Sequence, residues 1–369
     1  MKIISMFSGA GGLDLGFELA GHQIVWANDF DTYAVQTYRH NLGKISNHPI
    51  IDGDIVEYLN NDRAILKQNI PNADVVIGGF PCQGFTIANI NRSMNDQRNF
   101  LYLQILKMIE LKDPNFILLE NVKGLENIEG GKILPMIIND LEKIGKGYNI
   151  YYNVINAMNY GVPQNRERII IYGVKKDLAP SIDLPINRDK SKTLKILNIP
   201  STHSKTGTDM QSTPSYKIVN EMFEAKCKNI PFSIEKYFNP EKTYKIQTLK
   251  DTISDLPKKT NDPNFKIYNH TGSACKVIDK TNIKATRVGN RPTQWDKYAP
   301  TIMGRGSGTG GPLIIPHPEY NRRMSIREVA RIQTFPDSFE FIGANSACYR
   351  QIGNAVPVLM AYNIAKIIP

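Results

Sequence analysis

The chain of 369 residues is long enough for one large domain and one smaller one. With 41% hydrophobic and 22% charged residues its composition is that of a globular protein, which excludes a disordered, collagen-like or coiled-coil chain. Four cysteines without C-x-x-C or zinc-type spacing predict a reducing, cytoplasmic location and no bound metal. No apolar run reaches the roughly 20 residues of a membrane helix, and the apolar start of the chain is too short for a signal peptide.

The net charge of +10 is concentrated in one part of the chain. Residues 175–290 hold 19 Lys and 2 Arg against 12 acidic residues, a charge of +9, whereas the rest of the chain carries +1. A concentrated basic segment is typical of proteins that bind a polyanion such as nucleic acid. A solvated lysine-rich surface is the alternative, and charge alone leaves both open.

Short apolar strands alternate with helical patterns through the first 175 residues. The predicted strands are Lys2–Phe7, Gln23–Ala27, Asp74–Ile77, Phe116–Leu119 and Arg168–Val174. The predicted helices are Leu13–Ala20, Thr32–His40, Asn99–Leu111, Ile133–Ile144 and, at the C-terminus, Pro357–Ile368. This alternation predicts an α/β fold in which helices cover both faces of a parallel sheet.

The alternation is lost after Lys175, where Pro, Asn, Thr, Ser and Lys dominate residues 180–320. We therefore predict a first domain over residues 1–178 and a smaller, irregular domain over residues 179–324. A hinge over residues 325–350 and a C-terminal helix over residues 351–369 would lead the chain back to the first domain.

The first strand runs into a glycine-rich turn that is followed by a helix. Gly9, Gly11 and Gly12 allow the backbone to approach a ligand closely, and the helix N-terminus offers free N–H groups. Asp29 follows Gly9 by 20 residues, at the end of the second strand, where a carboxylate can bind both hydroxyls of a ribose. Asp54 is a further acidic candidate. These features predict a nucleoside cofactor, the alternative being an ordinary glycine turn with surface acids.

Chemistry-bearing side chains follow the later strands. Cys82 lies in a loop after the third strand, where Pro81 stiffens the backbone, and Glu120 ends the next strand. Because the carboxyl ends of parallel strands meet at one edge of a sheet, we expect a candidate nucleophile beside a candidate general acid. Arg166 and Arg168 lead into the last strand and point to the same edge. The other three cysteines are expected to be small buried hydrophobes.

Taken together, these motifs resemble the DNA (cytosine-5)-methyltransferase family of bacterial restriction–modification systems. The matching blocks are residues 7–12 (FSGAGG), 79–83 (GFPCQ), 120–122 (ENV), 164–168 (QNRER), 327–337 (REVARIQTFPD) and 351–357 (QIGNAVP). They follow the family's order and spacing and span about residues 1–175 and 290–369. One departure is Asp29, where the family more often has Glu.

The resemblance implies a Rossmann-like methyltransferase sheet with helices on both faces and a smaller, irregular target-recognition domain in the basic segment. It also implies methyl transfer from S-adenosylmethionine to C5 of a cytosine flipped out of double-stranded DNA, which leaves S-adenosylhomocysteine and needs no metal. Cys82 would attack C6 and Glu120 would act at N3. Arg168 would hold the O2 side of the ring, and Arg166 would stabilise the thiolate and the nearby phosphate.

The implied ligand contacts divide into two groups. Those to the cofactor are Phe7, Gly9, Gly11, Gly12, Asp29, Phe30, Asp54, Ile55, Asn354 and Val356. In the cysteine loop Pro81, Gln83 and Thr86 would lie near the flipped nucleotide. Arg287, Arg291 and Arg305 interrupt a lysine-dominated stretch, so they are candidates either for bidentate contacts to guanine or for phosphate contacts.

Three alternatives remain open from the sequence. The transfer-RNA branch of the same family keeps the reacting residues, although the Cys-Phe-Thr tripeptide of that branch is absent. A dinucleotide oxidoreductase would explain the glycine turn and Asp29 but not Cys82 or Glu120, and a catalytically dead DNA-binding protein would not need them either. We expect a monomer that acts on DNA without a membrane partner, and without a stable complex with a cognate restriction endonuclease.

Overall fold

A computed structural model describes residues 1–81, 100–181, 186–187, 196–197, 199–211, 213–239, 241–257, 269–271, 293–304 and 315–369. The strands of the main sheet are β1 (Lys2–Met6), β2 (Gln23–Asp29), β3 (Ile50–Asp52), β4 (Val75–Gly78), β5 (Phe116–Val122), β6 (Tyr148–Asn156), β7 (Glu167–Lys175), β8 (Ile186–Asn187) and β9 (Ile196–Leu197). Within the described residues their order across the sheet is β3-β2-β1-β4-β5-β7-β6-β9-β8. Two short strands, β10 (His203–Ser204) and β11 (Tyr244–Lys245), pair separately.

The helices lie between and after these strands. Their bounds are α1 (Gly12–Leu19), α2 (Thr32–Leu42), α3 (Ile55–Tyr58), α4 (Arg63–Asn69), α5 (Phe100–Lys112), α6 (Ile133–Lys143), α7 (Ser215–Cys227), α8 (Leu249–Ile253), α9 (Ile326–Ile332), α10 (Asn345–Asn354) and α11 (Val358–Ala365). None of the helices in the described ranges is long and apolar enough to cross a membrane.

All five predicted strands are present, but the sheet is mixed rather than parallel throughout. Strands β1 to β5 pair in parallel, whereas β7 is antiparallel to both β5 and β6. The prediction of an all-parallel sheet is therefore wrong at β7. The reason is β6, which the sequence reading missed: it joins β7 through a short connection, as antiparallel neighbours do.

Helices cover both faces of the sheet, as predicted. Consecutive β1 residues divide between the two faces, because Ile3 packs in one hydrophobic cluster and Ile4 in the other. The first cluster includes side chains from α1, α2, α10 and α11, and the second includes side chains from α3, α4, α5 and α6. Because helices cover both faces, the carboxyl edge of the parallel strands is the part of the sheet where a ligand can bind.

The C-terminal helix returns to the first helix of the chain, as the sequence indicated. A Cβ atom on Gly16 of α1 would lie 2.4 Å from the Cβ of Ala361 on α11, so only glycine permits this approach. Helix α7, within the basic segment, packs in the same hydrophobic cluster through Phe223. Its Lys226 also pairs with Glu18 of α1 at 3.0 Å. The domain boundary at residue 178 stays a prediction.

Candidate active site

The predicted catalytic residues Glu120 and Arg168 form an ion pair where β5 and β7 adjoin. Glu120 is near the end of β5, and Arg168 is at the start of β7, opposite Val122. The Nε of Arg168 is 2.8 Å from Oε1 of Glu120, and each side chain is 11% exposed. A largely buried ion pair fixes both side chains, and Nη1 of Arg168 also donates to the carbonyl oxygen of Glu167 at 2.7 Å. The second carboxylate oxygen of Glu120 and the Nη2 group of Arg168 could then contact a bound base.

Two neighbouring contacts tie this pair to the start of the cysteine loop. Asn121 donates from Nδ2 to the carbonyl oxygen of Phe80 at 3.0 Å. A Cβ on Gly79 would lie 3.1 Å from Oε2 of Glu120, so the carboxylate lies directly against the backbone there. Pro81 follows and is exposed. The sequence analysis assigned no role to Asn121, although its position next to Glu120 in the Glu-Asn-Val block could have indicated one.

The arginines at 166 and 168 have different partners. Arg166 is fully buried, and its Nη atoms donate to the carbonyl oxygens of Ile302, Gly353 and Ala355 at 2.7, 3.0 and 3.0 Å. Burial holds the pKa of Arg166 well below its usual value, and the nearby Arg168 lowers it further. Both terminal nitrogens of Arg166 are thus engaged by main chain, an outcome not anticipated for a residue assigned to the thiolate.

The glycine turn and Asp29 come together as predicted. Oδ2 of Asp29 accepts a hydrogen bond from the Gly9 N–H at 2.7 Å, and Oδ1 accepts one from Asp31 at 2.9 Å. Burial raises the pKa of Asp29, and these two hydrogen bonds oppose the rise. Since each carboxylate oxygen has two acceptor positions, Asp29 retains capacity for a ribose hydroxyl.

The glycines of the turn serve different purposes. A Cβ on Gly9 would meet nothing within 4 Å, so this residue faces open space. A Cβ on Gly11 would instead lie 2.9 Å from Tyr38 and from Leu42, and one on Gly12 would lie 2.4 Å from the carbonyl oxygen of Val356. Internal packing alone therefore requires a glycine at positions 11 and 12, and the expectation that their backbone also contacts a cofactor stays a prediction.

The remaining predicted cofactor residues surround this turn. Phe30 directly follows β2, and its side chain is 76% exposed. Asp54 caps α3 by accepting from the Val56 N–H at 2.8 Å, and the Ile55 side chain is buried in the core. Phe7 has a left-handed backbone and packs against the core beneath the turn.

The tail contributes Asn354 and Val356. Asn354 ends α10 and is exposed, and a Cβ on Gly304 would collide with its Oδ1. Val356 is buried, and its carbonyl oxygen approaches Gly12.

Several predicted residues lie outside the described part of the chain. They are Cys82, Gln83, Thr86, Cys275, Arg287, Arg291 and Arg305. Of the other cysteines, Cys348 is buried, as expected, whereas Cys227 is exposed, so the buried reading is wrong for it. Within the described ranges no three His, Cys, Asp or Glu side chains group as a metal site.

The fold is that of an α/β enzyme with a Rossmann-like sheet, in which a glycine turn follows β1 and the Glu120–Arg168 pair lies where β5 and β7 adjoin. A profile of the C-5 cytosine-specific DNA methylases matches residues 1–369. The chain belongs to this family, and it is therefore a DNA (cytosine-5-)-methyltransferase.

Known relatives agree with this assignment. The chain is 33% identical to the type II methyltransferase M.NgoFVII of Neisseria gonorrhoeae, over 99% of its own length and 85% of the relative's. It is 32% identical to M.FnuDI of Fusobacterium nucleatum, over 99% and 93%. Among solved structures, a putative DNA modification methyltransferase from an Escherichia coli prophage matches at TM-score 0.62 with 24% identity, over 100% of this chain and 98% of the other. The family match favours DNA over the transfer-RNA alternative.

Proposed function

We propose that this chain methylates C5 of a flipped-out cytosine within a short, specific sequence of double-stranded DNA, with Cys82 as the covalent nucleophile. The observation that carries the proposal is the Glu120–Arg168 pair, held at 2.8 Å and facing the backbone that leads to Cys82. The hydrogen bond from Asn121 to Phe80 supports the same arrangement, since it fixes the chain two residues before the thiol.

The chemistry explains why these residue types are needed. The Cys82 thiolate adds to C6 of the cytosine, and the electron pair of the C5–C6 double bond becomes available at C5. Glu120 at N3 and Arg168 at O2 stabilise the charge that the ring gains. After C5 has been methylated, a base removes its proton, the C5–C6 double bond re-forms and the thiolate leaves C6. Because a stacked duplex buries these atoms, the base must first be extruded.

S-adenosylmethionine is the cofactor we infer, and the residues around the glycine turn fit it. When bound, it supplies the electrophilic methyl group. The free space at Gly9 suits a close ligand approach, Asp29 suits a ribose, and the exposed ring of Phe30 suits the face of an adenine. Asn354 would complete the pocket from the tail. No metal is needed for any of these contacts.

A polar cleft at the same sheet edge suits the DNA backbone. Its volume is about 470 Å³, and it is lined by Asn156, Met158, Asn159, Asn165, Glu167, Ser204 and Lys205. The carboxylate of Glu167 pairs with Lys123 at 3.0 Å. Asn156 donates to Oδ1 of Asn165 at 2.7 Å, which leaves the Asn165 amide N–H groups as donors. Amide, hydroxyl and ammonium donors are the groups that bind phosphate oxygens without reading sequence.

The biological setting we infer is a restriction–modification system, as the printed names of the type II relatives suggest. The chain would protect host DNA in the cytoplasm as a monomer, associated with the nucleoid through DNA binding and without a stable complex with its endonuclease. Bisulfite sequencing of DNA from cells that express the protein would identify the methylated sequence and cytosine.

The decisive test of the mechanism is covalent trapping. A duplex carrying 5-fluorocytosine at the methylated position should form an adduct that survives a denaturing gel, because fluorine cannot leave C5 as a proton does. Peptide mapping should locate the adduct on Cys82, and Cys82→Ala should abolish it while Cys348→Ala retains it. An adduct on another residue, or normal turnover by Cys82→Ala, would overturn the mechanism.

A further inference from the structure

A short segment, residues 299–304, lies between the two halves of the site. On one side it bonds to the loop of residues 163–166: the Ala299 N–H donates to Pro163 at 2.8 Å, and Thr301 donates to the carbonyl oxygen of Asn165 at 2.6 Å. On the other side it touches the tail, where a Cβ on Gly353 would lie 2.3 Å from the backbone of Met303.

Two side chains hold the main chain of this segment at Ile302. Oε1 of Gln164 accepts from the Ile302 N–H at 2.9 Å, and Arg166 donates to the Ile302 carbonyl at 2.7 Å. Nε2 of Gln164 also donates to Oε1 of Gln333 at 2.9 Å, and Gln333 donates to the Ile352 carbonyl at 2.7 Å. Gln164 and Gln333 are both completely buried.

These contacts form a continuous hydrogen-bonded path, which we term the amide clamp (Gln164, Gln333 and Ile302). At one end of the path Gln164 directly precedes Asn165, which lines the cleft assigned to DNA, and belongs to the same block as Arg168. At the other end the tail reaches Asn354, which lies against Gly304 of the clamped segment. The same few hydrogen bonds therefore fix both the DNA side and the cofactor side.

Burial of two amides is not needed for stability alone. Replacing a buried hydrogen-bonded pair by apolar groups of the same shape can be nearly neutral, whereas a fully satisfied polar network specifies one arrangement. The clamp also holds the Ile302 backbone, so the position of this segment does not depend on its side chains. A buried hydrogen-bond network of this kind suits segment 299–304 if its position affects the binding of both ligands.

We propose that Gln164 and Gln333 are positioning residues that couple cofactor binding to DNA binding through segment 299–304. The proposal rests on the proposed function, since it takes S-adenosylmethionine and DNA as the two ligands. Each ligand would favour the clamped arrangement, and each would then strengthen the binding of the other by the same factor, as linkage requires.

The test measures that factor in two directions. The affinity for a duplex containing the methylated sequence is measured by anisotropy with and without S-adenosylhomocysteine, and the affinity for S-adenosylhomocysteine is measured by calorimetry with and without the duplex. In the wild type both ratios should agree, at about tenfold or more. In Gln333→Met both should fall to about twofold or less, with each binary affinity changed by less than about threefold.

Asn41 supplies a matched control, because its buried amide also joins two segments: it donates to Glu340 at 2.8 Å and accepts from the Glu340 N–H at 2.9 Å. Asn41→Leu should lose stability yet keep the coupling. If Gln333→Met does not fold, the same two affinity ratios are measured for Gln164→Met. The proposal would be overturned if a folded clamp variant kept the wild-type coupling, or if Asn41→Leu lost as much coupling as the clamp variants. It would also be overturned if the wild type showed no coupling. Failure of the wild type to bind S-adenosylhomocysteine would instead count against the proposed function.

Discussion

Gly9 and Gly11 both have left-handed backbones, with φ of +56° and +89°, but their surroundings differ. Gly9 borders open space, and its N–H is held by Asp29. Gly11 rests against the ring of Tyr38 and the side chain of Leu42. Gly9 therefore leaves space for the cofactor we propose, whereas Gly11 is required by the packing of α1 on α2.

This difference predicts that alanine substitutions at Gly9 and Gly11 will affect stability to different extents. Gly9→Ala should cost about 1 kcal/mol of stability, from the left-handed backbone alone, and should weaken cofactor binding. Gly11→Ala should destabilise the fold more strongly, because its Cβ also overlaps Tyr38 and Leu42. Denaturant unfolding and calorimetry on both variants check this. Equal stability losses, or normal cofactor affinity in Gly9→Ala, would contradict it.

Glu120 supplies a second prediction at this scale. Glu120→Gln keeps the shape and the contact with Arg168 but removes the ionisable proton, so turnover should fall by roughly 10²–10⁴-fold. Cofactor and DNA affinities should stay near the wild-type values, since the loss arises along the reaction path. Glu110→Gln, at an exposed pair with Arg63, is the control and should remain fully active. Single-turnover rates give the comparison.

At the scale of elements, α1, α2 and β1 meet around a buried acid behind the glycine turn. Asp14 of α1 accepts hydrogen bonds from Ser5 and from Tyr38, both at 2.7 Å. The Tyr38 hydroxyl also lies 2.8 Å from Nε2 of His48. Burial raises the pKa of Asp14 from 3.8 to about 7, with Glu18 adding to the rise, whereas burial lowers the pKa of His48 from 6.5 to about 4.

These pKa shifts predict that Asp14 and His48 change the stability of the fold in opposite directions as pH rises. The raised pKa of Asp14 means that its contribution is complete below about pH 4 and is lost as pH rises to about 7. The lowered pKa of His48 means that its contribution is complete above about pH 6.5 and is lost as pH falls to about 4. Asp14→Asn should therefore gain stability relative to wild type between pH 4 and 7. Urea unfolding across this range checks it, and a pH-independent difference would contradict it.

The elements also show where sequence reasoning succeeds. Strand ends and the residues just after them were predictable, because short apolar runs followed by Gly, Asp or Glu are local signals, as at Asp29 and Glu120. Strand β6 was not predictable, because its sequence YNIYYNVIN mixes Tyr and Asn with Ile and Val and has no regular alternation of apolar and polar residues. The partners of Arg166 were not either, since they lie 136 to 189 residues further along the chain.

For the whole molecule, the basic segment divides into parts with different roles. Within the described residues, two of its lysines pair with acids outside the segment: Lys175 with Asp113 at 2.6 Å and Lys226 with Glu18 at 3.0 Å. Three more pair with acids inside it, namely Lys228, Lys236 and Lys242. Lys205 instead lines the polar cleft at the catalytic edge, above the ring of Tyr298. The net charge of the segment therefore overstates the number of lysines available to a polyanion.

The salt dependence of DNA binding should distinguish these lysines. If Lys205 neutralises a phosphate, Lys205→Ala should reduce the slope of log affinity against log salt by about 0.9, because one fewer counterion is released. The loss of affinity should be similar for specific and unrelated duplexes, since a phosphate contact carries no sequence information. Lys236→Ala should leave the slope unchanged, because its ammonium already faces a carboxylate. Anisotropy titrations over a range of salt concentrations measure both slopes, and equal slopes for Lys205→Ala and wild type would remove the polar cleft from the DNA-binding surface.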